Sequence, residues 1–232
     1  YYRRISNKKN FFNVVNEKKI FRINSIYYDN LLEKNIIKKN YDCIVIVDSG
    51  FDHPDRYIRE KVKDQKNHDL KRKLYFQNLF KFLKFLEISF NKKIVFCQHP
   101  KTNYSSNQYF DMIEKNFEII KGKTDELIER GDLIVFTGAS SMVNKAIILK
   151  KKILYALSSS IGSNTTDLVY SIIDIINLPI INLDKIQLIN KESVNTKISE
   201  SMKLYDEFIS KNLVFDKKKS SFEQIKHVLY EN

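Results

Sequence analysis

Two short polar clusters carry residue types that bind phosphate groups, and each directly follows an apolar run. Gln98-His99-Pro100-Lys101 follows residues 93–97, and Thr137-Gly138-Ala139-Ser140-Ser141 follows residues 132–136. Pro100 keeps His99 out of helical geometry, which places its imidazole to donate a hydrogen bond to a phosphate or leaving-group oxygen. Hydroxyls and backbone N–H groups at a helix start also attract phosphate. If both clusters face one crevice, they predict an anion site.

Each of these features also has an ordinary structural explanation. His99 could cap the edge of a sheet, and a helix N-cap accounts for one of the two serines, Ser140 or Ser141. A third polar stretch contains Asp48, Asp52 and Asp55, which could line the same crevice or act as turn residues that cap their own backbone. The residues alone leave these alternatives open.

Several other kinds of site lack their motifs. The chain contains no GxGxxG, GxxxxGK[ST] or GxSxG, so dinucleotide, P-loop and hydrolase-elbow interpretations lose their main support. No spacing indicates a divalent metal cage. Cys43 and Cys97 lie within apolar runs without CxxC or metal-ligand spacing, which predicts buried, reduced thiols in a reducing compartment.

Strands and helices must bring the polar clusters to one edge of a sheet. Continuous apolar runs predict buried parallel strands at 43–47, 93–97, 117–120, 133–136, 152–156 and 179–183. Helical spacing between them predicts crossover helices at 70–90, 124–130, 142–149 and 165–176, with Thr124 as an N-cap and Gly131 at a C′ position. This alternation predicts a doubly wound, mostly parallel, Rossmann-like α/β fold whose ligand lies beyond the carboxyl ends of the strands.

Composition and charge indicate which partners and which location to expect for the protein. The 232 residues carry a net charge of +12 and are 43% hydrophobic, which suits a full core and anionic partners. The lysines are spread along the chain, so no dedicated nucleic-acid groove is expected. No apolar run is long enough to span a membrane, and the start, Tyr1-Tyr2-Arg3-Arg4, lacks a signal-peptide core and is typical of a chain that begins within a protein. A soluble, cytoplasmic protein is expected.

The stretch 94–155 contains "CQHPKTNY", "KGKTDELIERGDLIVFTGASS" and "KKILYA". It resembles the donor-binding half of GT-B glycosyltransferases of bacterial surface polysaccharide synthesis. More narrowly, it is similar to transferases that use CMP- or CDP-activated donors, such as sialyl-, polysialyl-, Kdo and glycerophosphate transferases. "VDSGFDHPD" also resembles the start of the second domain in capsule-locus proteins. The resemblance covers about residues 42–160.

The resemblance implies roles for individual residues. His-Pro and Ser-Ser motifs hold the phosphate of the cytidine nucleotide in those families, and they fall on His99-Pro100 and Ser140-Ser141. The neighbouring residues implied as donor-binding are Lys101, Thr124, Thr137 and Gly138. His99 would be catalytic by stabilising the departing phosphate, and Asp52 and Asp55 would contact the acceptor or the sugar. No metal and no cofactor are implied beyond the nucleotide-sugar donor, a substrate that is CMP- or CDP-linked.

The resemblance also implies a domain layout and partners. Residues 1–40 would be a linker or partial N-terminal segment, 41–189 the nucleotide-binding domain, and 190–232 helices that pack back on it. A GT-B enzyme has two such domains, so this chain would supply half of the fold. The expected partners are the donor, a glycan or glycolipid acceptor and an anionic membrane surface, with no specific nucleic acid. Two alternatives remain: a non-catalytic α/β binding module with a basic surface, and a GT-B-shaped UDP-sugar epimerase.

Overall fold

A computed structural model describes residues 23–33, 42–51, 65–105, 107–160, 169–170 and 173–230. The chain divides into two compact units, one of residues 37–205 and one of residues 1–36 together with 206–232. Asp52 and Asp55, two of the predicted site residues, lie outside the described ranges, as do parts of the predicted segment 165–176.

The larger unit is built on one sheet of six parallel strands. The strands are β1 (Cys43–Val47), β2 (Lys93–Gln98), β3 (Glu118–Lys121), β4 (Leu133–Phe136), β5 (Lys152–Leu157) and β6 (Ile180–Asn182). Their order across the sheet is β3-β2-β1-β4-β5-β6, and all five neighbouring pairs are parallel. This is the order of doubly wound dinucleotide-binding sheets. The predicted doubly wound, Rossmann-like α/β fold is therefore confirmed.

One face of the sheet packs on a long helix, α2 (Gln65–Phe90). Apolar side chains of α2 recur every three or four residues and are fully buried: Tyr75, Phe76, Leu79, Phe82, Leu83 and Leu86. They share a hydrophobic core with alternate residues of the central strands, including Ile44 and Ile46 of β1. Helix α3 (Asp111–Asn116), a 3-10 segment (Leu183–Leu188) and helix α6 (Lys191–Lys203) contribute to the same core.

The opposite face carries the intervening strand residues and is also covered. Helix α4 (Thr124–Arg130) contacts β1, and helix α5 (Met142–Ile148) contacts β5. Val45 and Ile134, which pair in register across β1 and β4, are both fully buried. Because both faces are covered, β1 can be a continuous apolar run, CIVIV, without alternation.

Four local features differ from the sequence prediction. Helix α2 begins at Gln65, five residues before the predicted start, and α3 was not predicted. Thr124 is the first helical residue of α4 rather than its N-cap, since Lys123 occupies the cap position without a side-chain bond. Gly131 follows α4 with φ −64° and ψ 143°, so the left-handed C′ conformation predicted for it is wrong.

The smaller unit joins a helix from the start of the chain to helices from its end. These are α1 (Ile26–Glu33), most of α7 (Tyr205–Asn212) and α8 (Ser221–Tyr230). The buried Asn24 side chain donates to the carbonyls of Asp216 and Lys219, and the Asp29 carboxylate accepts from Ser221. No helix in the described ranges is long and apolar enough to cross a membrane.

Candidate functional site

The carboxyl ends of β1, β2 and β4 meet where the strand order reverses. From β1 the chain proceeds outward through β2 to β3, and it then returns to the other side of β1 to form β4. In open α/β sheets this reversal opens a crevice that binds ligands. The segments that leave the sheet here are 48–51, 99–105 and 137–141. Both predicted clusters therefore lie at one edge, on either side of the β1 strand.

Asp48, the first residue after β1, is 3% exposed and binds the segment that follows β2. Its Oδ2 accepts from the backbone N–H of His99 at 3.1 Å and from the hydroxyl of Tyr104 at 2.8 Å. Its Oδ1 accepts from the N–H of Gly50 at 2.9 Å, which closes a turn within its own loop. The turn-residue explanation and a cross-strand contact thus both hold for this carboxylate.

The segment after β2 forms a closed turn around His99. The carbonyl of His99 accepts from both the N–H and the hydroxyl of Thr102, at 3.0 and 2.8 Å. Side chains of Gln98 and Lys121 donate in turn to the carbonyl of Thr102. The backbone at His99 is therefore held on its N–H side and on its carbonyl side.

The imidazole of His99 is fixed by a further bond. Its Nδ1 accepts from the backbone N–H of Lys101 at 3.2 Å. In a neutral imidazole the nitrogen that accepts carries no hydrogen, so this bond places the hydrogen on Nε2. The half-buried ring can then use Nε2–H as a donor, while Pro100 and Lys101 are exposed beside it. That a ligand phosphate accepts from this donor stays a prediction.

Bonds between β1 and β4 extend past the end of the strand ladder. Thr137 Oγ1 accepts from the N–H of Ser49 at 2.9 Å, and Ser49 Oγ donates to the carbonyl of Thr137 at 3.2 Å. Thr137 is fully buried and Gly138 is buried. Two of the predicted donor-binding residues thus lie buried at the carboxyl end of β4, and Thr137 joins this end to the segment after β1.

The two serines stand at the start of α5 in different environments. Ser140 Oγ accepts from the N–H of Met142 at 3.3 Å, and the Ser140 carbonyl accepts from the N–H of Val143 at 3.3 Å. Ser141 stands at the N-cap position, and the Ser140 side chain caps the first helical N–H from one residue earlier, which is a structural use for one serine. The hydroxyl hydrogen of Ser140 remains a donor in this arrangement. Ser141 has helical backbone angles, makes no side-chain cap bond and is exposed.

Thr124 lies at the same edge but turns toward the sheet. Its Oγ1 lies 3.0 Å from the Sγ of Cys97, the second-last residue of β2. Burial raises the pKa of the Cys97 thiol, so this sulfur is a packing group rather than a nucleophile. The structure thus gives Thr124 a partner in the protein itself.

The site combines residues that the sequence predicted with others that it missed. The strands that lead to His99 and to Ser140, β2 and β4, lie two strand spacings apart, about 10 Å, with β1 between them. That these side chains face one ligand stays a prediction. The sequence did not indicate Tyr104, Thr102 or the contact between Asp48 and His99. An acid directly after a buried strand was the signal for Asp48. Nothing in the sequence pairs it with residues more than fifty positions away.

The described residues include no group of three His, Cys, Asp or Glu side chains arranged to hold a metal ion. Comparison with known proteins leaves the site to be interpreted from its geometry, because no family model matches the chain and a search of the curated proteins gives no match.

Proposed function

We propose that the larger unit is the donor-binding domain of a glycosyltransferase that uses a cytidine-nucleotide-activated sugar. One observation supports the proposal: the Lys101 N–H donates to Nδ1 of His99, which leaves Nε2–H as the donor of a neutral ring, and His99 follows β2, on the other side of β1 from Ser140 and Ser141. The resemblance of residues 42–160 to CMP- and CDP-dependent transferases supplies the choice of cytidine.

In this proposal His99 acts on the phosphate that leaves. The acceptor hydroxyl oxygen bonds to the anomeric carbon, and the bond from that carbon to the phosphate oxygen breaks with its electron pair on the phosphate. The hydroxyl proton passes to a carboxylate base, for which Asp52 and Asp55 are the candidates in this chain. The Nε2–H donor strengthens its bond as negative charge grows on the phosphate oxygen, which favours the transition state.

The remaining residues bind the same nucleotide. Lys101 is exposed next to His99 and adds a positive charge beside the phosphate. The hydroxyls of Ser140 and Ser141 donate from the other side of β1, and Thr137 and Gly138 shape the floor between them. Thr124 takes a supporting role, because its hydroxyl already contacts Cys97.

The proposal includes a location and further partners. The expected acceptor is a glycan or glycolipid, and the net charge of +12 suits contact with an anionic membrane surface at the inner face of the membrane. No specific nucleic acid is expected to bind.

A nucleotide screen tests the proposal. Thermal unfolding of the full chain is followed with CMP, CDP, UDP and GDP, and titration calorimetry gives the dissociation constants. A ligand at 100 times its dissociation constant stabilises the folded state by about 2.7 kcal/mol. We expect stabilisation by the cytidine nucleotides, its loss in His99→Ala, and its retention in His227→Ala, where the exposed histidine of α8 is removed.

Two results would contradict the proposal and favour its alternatives. Equal stabilisation by every polyanion, fading as salt is added, would favour the non-catalytic binding module. The capping bond of Ser140 is the observation on that side, because it shows a structural use for one predicted site residue. Stabilisation selective for UDP would instead favour the epimerase.

A further inference from the structure

We infer that Asp48 is a positioning residue, which holds the donor of His99 at the crevice without touching the ligand. The inference rests on the proposed function, since it assigns a role to a residue around the same phosphate site. Asp48 directly follows β1, the strand between the two clusters, and its side chain is buried.

The contacts of Asp48 link His99 to the core. Oδ2 accepts from the His99 N–H and also from the hydroxyl of Tyr104, which is itself 4% exposed. The ring of Tyr104 packs edge-on to Phe76 of α2 at 5.4 Å and lies 4.3 Å from the ring of Phe110. One carboxylate oxygen thus joins the His99 backbone to an aromatic cluster that has little freedom to move.

The backbone bond determines where the imidazole points. Lys101 holds Nδ1 through its N–H, and Thr102 holds the His99 carbonyl. The carboxylate bond on the His99 N–H is the charge-assisted one among these, and such bonds are about twice as strong as neutral ones. Without it, the turn from Gln98 to Thr102 is expected to sample other orientations of the ring.

A buried negative charge beside an anion site opposes anion binding by Coulomb repulsion. Two explanations of Asp48 therefore predict changes of opposite sign in phosphate affinity, and one experiment can distinguish them. If the charge acts on the ligand directly, Asp48→Asn tightens phosphate binding. If Asp48 positions His99, the same substitution weakens binding, because Asn has one acceptor oxygen for the three donors that the carboxylate serves, and a bond from the His99 N–H to that oxygen would no longer be charge-assisted.

The test compares Asp48→Asn with Asp132→Asn in the full chain. Asp132 precedes β4 at the opposite edge of the same sheet and pairs with Lys92 and Lys152, so its substitution makes the same chemical change away from the crevice. CMP affinity is measured by calorimetry at constant ionic strength. The imidazole nitrogens of the four histidines are followed by NMR, with His99→Gln used to assign the signal of His99.

We expect Asp48→Asn to weaken CMP binding by about tenfold, equal to about 1.4 kcal/mol. The nitrogen signals of His99 should move from the Nε2–H tautomer toward an average of the two tautomers, and Asp132→Asn should change neither property. Unchanged His99 signals with unchanged affinity would overturn the inference. Tighter binding in Asp48→Asn would overturn it too, as would an equal loss in Asp132→Asn.

A second variant keeps the test independent of folding defects. Tyr104→Phe removes one donor to Asp48 and retains the ring, so we expect a smaller loss of CMP affinity and a smaller shift of the His99 signals. Its matched control is Ser201→Ala, which removes a buried hydroxyl that donates to the Ile198 carbonyl. No difference between these two variants would overturn the inference. If the unaltered protein fails to bind CMP, the proposed function fails, and the NMR signals alone decide the role of Asp48.

Discussion

Gly131 offers a sharp test of how the face of the sheet that α4 and α5 cover is packed. An alanine Cβ at this position would lie 2.6 Å from Cδ1 of Ile134 and 2.8 Å from Cγ2 of Val45. Carbon atoms in contact prefer separations of about 3.5–4.0 Å. Both neighbours are fully buried, so neither can move without displacing other core atoms. We therefore expect Gly131→Ala to destabilise the fold by overpacking.

The magnitude follows from two opposing effects. Overpacking a core by one methyl group costs about 1–3 kcal/mol. Alanine also restricts the unfolded chain, which returns about 0.4–1 kcal/mol when the native backbone angles suit it. The angles at Gly131, φ −64° and ψ 143°, do suit alanine. The net expectation is a loss of about 1–2 kcal/mol in the free energy of unfolding.

A double-mutant cycle measured by urea denaturation identifies the cause. Ile134→Val removes the Cδ1 atom and by itself costs about 0.5–1.5 kcal/mol. Combined with Gly131→Ala it should cost less than the sum, with a coupling of about 1 kcal/mol, since one of the two collisions is gone. Val45 remains in the way, so the rescue is partial.

Gly122→Ala is the matched control for this cycle. Gly122 has φ +75° and nothing within 4 Å of a Cβ, so alanine there meets backbone strain of about 1–2 kcal/mol but no collision. Its effect should add to that of Ile134→Val within about 0.5 kcal/mol. Additive behaviour of Gly131→Ala with Ile134→Val would refute the overpacking argument.

Three further predictions concern charged groups and thiols. Lys145 is 1% exposed and pairs with two acidic side chains of α4 at 2.6 Å, so Lys145→Ala should lower the free energy of unfolding by about 2–3 kcal/mol, against at most about 0.5 kcal/mol for the exposed Lys152→Ala. Burial opposes the charge of Asp132, yet hydrogen bonds from Lys92 and Lys152 hold its pKa below the usual range. The stability from these bonds is therefore present above about pH 4 and is lost as the pH falls through the folded-state pKa; an acid titration of stability should be flatter in Asp132→Asn. Burial raises the pKa of Cys97 and of the second cysteine, so a thiol reagent at pH 8 should react with both only after denaturant is added; rapid labelling of the native protein would contradict their burial.

The sheet was predictable because buried parallel strands leave a strong local signal. The run Leu133–Phe136 was predicted with the bounds that the structure gives, and β1, β2 and β5 agree to within a residue at each end. Such strands need no long-range information, since both faces are apolar. Helix α3 lacked this signal: its six residues include one buried side chain, Ile113, and its formation depends on packing against the core.

Capping was predictable only in part because a cap depends on the exact geometry of its turn. A threonine before two acids is a common N-cap pattern, yet in the structure Thr124 bonds with Cys97 across the edge of the sheet. A glycine after a helix is commonly left-handed, yet Gly131 is required by the side chains of two strands. In both cases a tertiary contact accounts for the residue, and the local pattern does not.

The candidate site shows the same division between local and long-range information. That His99 and Ser140 leave the sheet at its carboxyl edge follows from the direction of parallel strands, and the sequence contains that information. Which strand lies between them does not follow, because the order β2-β1-β4 is set by how the crossover helices pack. From the sequence, Asp48 could either act as a turn residue or line the crevice, and its Oδ1 does make the turn. The two partners of the other oxygen lie 51 and 56 residues further along the chain. The role of that oxygen can therefore be recognised only once the strand order is known. If Asp48 positions His99, then residues that orient a hydrogen-bond donor toward phosphate are to be sought at the end of the strand between two phosphate-binding clusters, beneath the groups that touch the ligand.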